Sequence, residues 1–219
     1  LMRFYAQIDG IIQVKGDTVQ VNPVLQISGD VNYETGNLDL PRDVQISGDV
    51  LAGFTVVAGG NIAIGGIVEN GAVVRAGGDV VAARGIVGEE TRVIAQGNVE
   101  AKFIQNSSVL ARGDVVVGSY IFNATVRAGG EVVVQAGGGQ RGGSIVGGEV
   151  IATVGVTARR IGSADTGSTI VGLGASLSLM ARQQKLQEAL GAAAQRLRRL
   201  VVLLGIDEAD ATMAAAVAR

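Results

Sequence analysis

The sequence predicts an all-β solenoid: a right-handed parallel β-helix with short lead-in strands before it and an α-helical extension after it. Three observations support this fold class. A short motif recurs at nearly constant spacing, apolar clusters lie between its copies, and Gly residues, 34 of 219, separate the clusters. A period near 18 residues is typical of stacked coils, in which each strand pairs with the coils below and above it.

The repeated motif is Gly, then Asp, Asn or Glu, then Val or Ile. Its apolar positions are separated by 19, 12, 18, 19, 16, 17 and 18 residues, so we expect the motif to mark one corner in each of eight coils. Parallel crossover connections are overwhelmingly right-handed, which predicts the hand of the coil. The copies begin at Gly29, Gly48, Gly60, Gly78, Gly97, Gly113, Gly130 and Gly148.

A single coil shows why three faces are expected. Between Gly113 and Gly129 the apolar clusters are Val115-Val116-Val117, Tyr120-Ile121-Phe122 and Thr125-Val126, with small or polar residues between them. Short apolar runs bounded by turn residues are consistent with buried parallel strands. We therefore expect three strands in each coil.

The chain divides by pattern into three parts. Residues 1–22 contain alternating stretches and turn signals, and we expect them to form lead-in strands that cap the coil. Residues 23–174 carry the repeat, and residues 175–219 have a helical pattern that is expected to be truncated. Because an open coil end exposes strand edges, we expect the lead-in strands and the helix to cover the two ends.

The C-terminal segment carries a leucine seam at helical spacing. Leucines three, four or seven residues apart predict a coiled coil or a helical hairpin, and a homodimer through this helix is one expected assembly. Gln183 interrupts the seam at one core position. The seam residues proposed for assembly are Leu179, Leu186, Leu190, Leu197, Leu200 and Leu204.

Composition excludes several functions. The chain has no Cys and no His, so Cys- or His-based metal sites and catalytic triads are impossible within it. Its net charge of -2 does not favour nucleic-acid binding. The uncharged run from Val50 to Val68 is interrupted by Gly in the register of the repeat, so we expect no transmembrane segment. We expect no catalytic residues, cofactor or metal, and a cytoplasmic location.

Two columns of polar residues are candidate sites. Aligning successive coils places Asn106 over Asn123, which predicts a structural ladder of amides at one corner. The acids of the repeat were expected to share one column, interrupted by Asn61 and Asn98. Carboxylates in a column repel each other and a calcium ion would relieve this, but solvated corner carboxylates are the favoured interpretation.

Many short stretches in this order resemble the flagellar assembly protein A (FapA) family. The resemblance implies a bacterial, cytoplasmic protein, with a location at the cell pole as one expectation, that has a right-handed β-helix and a coiled-coil extension. It also implies a role in flagellar placement and motility through protein contacts, with no established catalytic residues. The matching stretches are residues 6–10, 21–25, 29–38, 44–50, 53–54, 97–107, 143–152 and 161–163, with Thr169.

Three functions follow, in order of preference. The first is a non-enzymatic scaffold or adaptor that acts through contacts with protein partners. The second is a self-polymerising cytoskeletal rod like the bactofilins, which would need bare ends that can stack. The third, and most remote, is a carbohydrate-active β-helix enzyme, which would need a cluster of acids that the sequence does not show.

Overall fold

The computed structural model describes residues 11–15, 18–22, 24–137, 142–164, 167–174, 186 and 189–196. The chain forms two compact units, Leu1–Ala175 and Ser176–Arg219. Before the coils, Ile11–Lys15 and Thr18–Asn22 form an antiparallel hairpin in a sheet of its own. The part of the predicted lead-in strands that falls in residues 1–10 lies outside the described residues.

The repeat folds as a parallel β-solenoid of eight coils, which confirms the predicted class. Each coil has three faces, named A, B and C in chain order, and every pairing between coils is parallel. The strands are Leu25–Ile27, Leu38–Leu40, Val44–Ile46, Thr55–Ala58, Ile62–Ile64, Ile67–Val68, Val73–Ala76, Val80–Ala82, Gly85–Val87, Arg92–Ala95, Val99–Gln105, Ser108–Ala111, Val115–Ala128, Glu131–Val134, Ser144–Ala152, Gly155–Thr157, Arg160–Ile161 and Thr169–Leu173.

Three faces follow from how the strands pair. Face A includes Leu25–Ile27 and Val44–Ile46, face B includes Ile67–Val68 and Gly85–Val87, and face C begins with Leu38–Leu40. In the middle coils one strand continues around corners, as in the 14 residues of Val115–Ala128, which cover all three faces. The prediction of three strands per coil is therefore confirmed by the pairing.

The core consists of aliphatic columns, because the inward residue of each coil stacks on the same position in the next. On face B the fully buried column runs through Val31, Val50, Val68, Ile86, Ile104, Ile121 and Ile145. On face C a column of Ala runs beside a column of Val, and the small Ala side chains allow the chain to turn back toward face A. Stacking aliphatic residues buries the inward side chains of the middle coils without large aromatic groups.

The prediction that all eight motif copies occupy one corner is wrong. The true face A column runs through Leu25, Val44, Ile62, Val80, Val99, Val115, Val132 and Val156, with steps of 19, 18, 18, 19, 16, 17 and 24. The copies at Gly29 and Gly48 lie instead at the corner between faces A and B, where Val31 pairs with Val50. The copy at Gly148 begins face C, where Val150 pairs with Val126.

The short step of 12 residues in the motif spacing has a physical cause. Val50 lies on face B of coil two and Ile62 begins face A of coil three, so the sequence step between them is shorter than one coil. Six of the eight copies solve the same local packing problem, described below, whereas nothing lies near the Cβ position of Gly29, and that of Gly148 meets the backbone of Ala124. There are as many copies as coils because coil seven carries two, at Gly130 and Gly148, and coil eight carries none.

The second unit is described only in part. Residues 186 and 189–196 are helical, and all of their side chains are exposed. Of the predicted seam, Leu186 and Leu190 lie in this helix, whereas Leu179, Leu197, Leu200 and Leu204 lie outside the described residues.

Candidate functional site

The acidic and amide residues of the repeat form hydrogen-bonded ladders that join successive coils. At the corner between faces C and A, Oδ1 of each Asp or Asn accepts a hydrogen bond from the backbone N–H of the residue in the same position one coil later. For example, Asp79 donates its N–H to Oδ1 of Asn61 at 2.8 Å, and Asn98 donates to Oδ1 of Asp79 at 2.7 Å. The full ladder is Asp43, Asn61, Asp79, Asn98, Asp114 and Glu131.

A second, shorter ladder lies at the corner between faces A and B. Oδ1 of Asp30 accepts from the N–H of Asp49 at 2.8 Å, and Oδ1 of Asp49 accepts from the N–H of Ile67 at 2.6 Å. The acids that were expected in one column therefore occupy separate corners. Glu149 belongs to neither ladder, because it lies on face C and forms an ion pair with Arg127 at 3.0 Å.

Glycine precedes most ladder positions because the ladder leaves no space for a side chain. A Cβ added to Gly78 would overlap Oδ1 of Asn61 in the coil below, and a Cβ on Gly48 would overlap Oδ1 of Asp30. The same overlap occurs at Gly60, Gly66, Gly97, Gly113 and Gly130. The Gly of the motif thus accommodates the acceptor of the previous coil, and the acidic or amide residue provides the acceptor for the next.

Asp and Asn alternate along the ladder between faces C and A, from Asp43 to Asp114. Both residues offer an Oδ1 acceptor, so the amides continue the ladder rather than interrupt it. Alternation also separates neighbouring carboxylates by two coils, about 9.6 Å instead of about 4.8 Å, which is close to the screening length in physiological salt. Among the described residues, no group of three or more acids is arranged to hold a metal ion.

Asn106 and Asn123 form the second polar feature, at the corner between faces B and C. Nδ2 of Asn123 donates to Oδ1 of Asn106 at 3.2 Å, with Asn123 exposed to solvent. Both have positive φ, 51° and 45°, and Gly147 occupies the corresponding position in the next coil with a φ of 68°. The corner requires a left-handed conformation, which Asn tolerates better than other residues with a side chain.

The two asparagines border a depression of about 180 Å³, also lined by Glu89, Ser107, Ser108 and Thr125. Apart from the carboxylate of Glu89, the polar side chains that line it are amides and hydroxyls. Asn106 and Asn123 lie at one corner of successive coils, and their side chains hydrogen-bond to each other.

Sequence reasoning missed an aromatic cluster on the outside of face B. The rings of Phe103 and Tyr120 stack with centroids 5.3 Å apart, and a Cβ on Gly85 would contact the ring of Phe103. The Tyr120 hydroxyl donates to Oε1 of Gln105 at 3.4 Å. The alignment that places Asn106 over Asn123 also places Phe103 over Tyr120, which pair in the structure. That alignment was the sequence signal for the cluster.

The predicted helix seam is represented by two described residues. Leu186 is 58% exposed and Leu190 is 70% exposed. They are four residues apart, so they lie on one side of the helix. In the described part of the chain, no helix is both long and apolar enough to cross a bilayer.

These features define a class of protein: a parallel β-solenoid whose coils are joined by side-chain ladders and whose faces are flat, repeated rows of residues. The family model of the flagellar assembly protein A β-solenoid domain matches residues 23–211. The chain belongs to the FapA family, as the sequence resemblance indicated. No curated protein and no solved structure matches it.

Proposed function

We propose that this chain is a non-enzymatic scaffold that acts in flagellar assembly or placement, and so in motility, through contacts with other proteins. The observation that carries the proposal is the family match over residues 23–211, because the matched family is named for flagellar assembly. The geometry supports it, since repeated flat faces offer long surfaces for protein contacts. The family description names a structural domain and no reaction.

The leucine seam is the contact surface that we propose for assembly. Leu186 is 58% exposed and Leu190 is 70% exposed, and leucines repeated at heptad spacing favour pairing with another helix. We propose that the second helix comes from another copy of the chain, which gives a homodimer in the cytoplasm. Further protein partners would then bind a divalent scaffold and gain avidity from it.

Deletion of the gene in its host tests the flagellar role. We expect absent or misplaced flagella and reduced swimming, both restored by the wild-type gene. Leu190→Glu should fail to restore swimming, while Ala192→Glu should restore it, because Ala192 lies about 200° around the helix from Leu190. Normal flagella and swimming after deletion would contradict the flagellar role, and full rescue by Leu190→Glu would contradict the seam.

A self-polymerising rod remains the second candidate because of one observation. Val154, Ile161, Ile170 and Leu173, all in the last coil, are each more than half exposed. The sequence analysis expected both ends of the solenoid to be covered, by the lead-in strands and by the helix after Gly174, and that expectation stays a prediction. Electron microscopy of the purified chain distinguishes filaments from discrete particles.

A further inference from the structure

The corner between faces B and C of coil three carries the one Asn-Gly pair of the sequence, Asn70 and Gly71. The Ala72 N–H donates to the Glu69 carbonyl at 3.1 Å, so these four residues form a turn. Gly71 has a φ of 76°, which fits the third position of a type II turn. The turn does not use the N–H of that position, and no acceptor among the described residues takes the Gly71 N–H.

The next coil places Glu90 beside this pair. The Glu90 backbone N–H donates to Oδ1 of Asn70 at 3.4 Å, and Oε2 of Glu90 lies 3.8 Å from the position that a Cβ of Gly71 would take. Gly88 also packs against Asn70, since a Cβ on Gly88 would overlap the Asn70 side chain. Asn70 therefore has a hydrogen-bond donor at its carbonyl oxygen, and Gly71 has a carboxylate nearby.

We propose that this pair is a modification site, at which Asn70 deamidates in the folded chain with the help of Glu90. The backbone N of Gly71 attacks Cγ of Asn70, the bond from Cγ to Nδ2 breaks, and a cyclic succinimide forms. The proton of the Gly71 N–H passes through the Glu90 carboxylate to Nδ2, which leaves as ammonia. Water then adds to either ring carbonyl, the bond from that carbon to nitrogen breaks, and the nitrogen takes a proton from the water. The product has an aspartate or an isoaspartate at position 70.

The contacts at this corner favour the reaction. Negative charge develops on Oδ1 of Asn70 as its Cγ is attacked, and the Glu90 N–H donates to that atom. An amide nitrogen attacks as its proton is removed, and a nearby carboxylate can take that proton as a general base. Gly71 has no side chain to obstruct the attack, and its N–H has no hydrogen bond to give up first.

Asn61, in the ladder between faces C and A, shows the contrast. The residue after it, Ile62, donates its N–H to the Asp79 carbonyl at 2.9 Å and has a branched side chain next to that nitrogen. Attack by the Ile62 nitrogen would first break a hydrogen bond between coils. Asn61 is thus an internal control for Asn70.

Deamidation changes the contact between coils three and four. It adds a negative charge between Glu69, the preceding residue, and Glu90, which donates its N–H to the same side chain. Isoaspartate also lengthens the backbone by one carbon within a tight turn. We therefore expect the deamidated chain to unfold at a lower urea concentration, with a smaller difference at high salt. The inference does not rest on the proposed function, since it is read from the mass of the chain and not from swimming.

Mass spectrometry of the full chain, incubated folded at neutral pH, tests the site. Trypsin releases residues 43–75 as one peptide, which contains both Asn61 and Asn70, so its fragments compare the two directly. A sample digested without incubation gives the background, and circular dichroism checks that the chain stays folded. We expect Asn70 to deamidate about tenfold faster than Asn61, because only Asn61 is followed by a hydrogen-bonded N–H. Equal rates, or no modification of Asn70, would overturn the inference.

Two variants test the part played by Glu90. Glu90→Gln keeps the backbone donor and removes the carboxylate, so it should slow the deamidation of Asn70 by about tenfold. Glu89→Gln is the matched control, because it removes the same charge from the neighbouring residue and should leave the rate nearly unchanged. If these carboxylates only repelled hydroxide, both variants would accelerate the reaction. A rate in Glu90→Gln that equals or exceeds the wild-type rate would therefore contradict assistance by Glu90.

Discussion

The contact between Asn61 and Gly78 allows a direct test of the ladder. Asn61 offers Oδ1 to the N–H of Asp79 at 2.8 Å, and the same atom occupies the space that a Cβ of Gly78 would need. When Asn61 is replaced by Ala, the nearest remaining atom to a Cβ on Gly78 is the backbone N of residue 61, at 3.4 Å. That distance is an ordinary van der Waals contact. The pair therefore suits a double-mutant cycle of Asn61→Ala and Gly78→Ala.

The expected free energies follow from the contacts. Asn61→Ala removes one hydrogen bond at an exposed corner and should cost about 1 kcal/mol of unfolding free energy. Gly78→Ala alone forces Asn61 aside, so it should lose that bond and add packing strain, about 2 kcal/mol together. In the double variant no overlap remains, and Ala reduces the entropy of the unfolded chain. The double variant should therefore cost only about 1 kcal/mol, against about 3 if the effects were additive.

Urea unfolding followed by far-ultraviolet circular dichroism measures the four free energies, with equal m-values as the condition for comparing them. Amide hydrogen exchange adds a local readout, because Asn61→Ala should accelerate exchange at the N–H of Asp79. Asn61→Asp is the matched control for the exchange readout, since it keeps an Oδ1 acceptor for the N–H of Asp79. Its free energy of unfolding is compared at high salt, which screens the repulsion from Asp43 and Asp79. Additivity of the two single variants within about 0.5 kcal/mol would refute the proposed interlock.

Three further predictions use the same unfolding assay. Asn123→Gly should change stability by less than about 0.5 kcal/mol, whereas Asn123→Ala should cost about 1 kcal/mol because Ala resists the left-handed conformation; equal costs would contradict this explanation. Ile104→Ala, in the fully buried face B column, should cost about 3 kcal/mol and Ile104→Val about 1, and similar values for both would contradict close packing there. Replacing Asn61 and Asn98 together by Asp creates four neighbouring carboxylate pairs, each worth about 0.9 kcal/mol of repulsion in water at 4.8 Å; the loss should shrink as salt rises, and a salt-independent loss would argue against repulsion.

The sequence was sufficient for the fold because its period survives from coil to coil, and the inward Val and Ile residues could be recognised by that period. It was not sufficient to assign each motif copy to a corner. Gly29 and Gly60 begin the same three-residue pattern, yet they lie at different corners. Asp43 was missed because Arg42, not Gly, precedes it. These errors share a cause: the pattern records a local contact between coils and not a position around the coil.

The exceptions to the motif follow from that contact. The position before a ladder residue needs Gly only where the coil below offers an Asp or Asn acceptor. Below Asp43 the corresponding residue of coil one is Val24, so Arg42 is accommodated.

After Glu131, the position in the next coil that corresponds to these glycines is Val154, and the Glu131 carboxylate lies 3.9 Å from the Cβ position of Gly155. In the coil after Ile67, the residue before its pairing partner is Arg84 and not Gly. Gly is not needed there because Ile67 has no side-chain acceptor. None of the seven interlocking glycines has a positive φ, so their lack of a side chain, and not their backbone freedom, explains why they recur. The near-constant period of the sequence thus follows from one contact that is repeated between coils, in which the Asp or Asn acceptor of one coil fits against the Gly of the next. A substitution of either residue therefore changes the packing of the neighbouring coil.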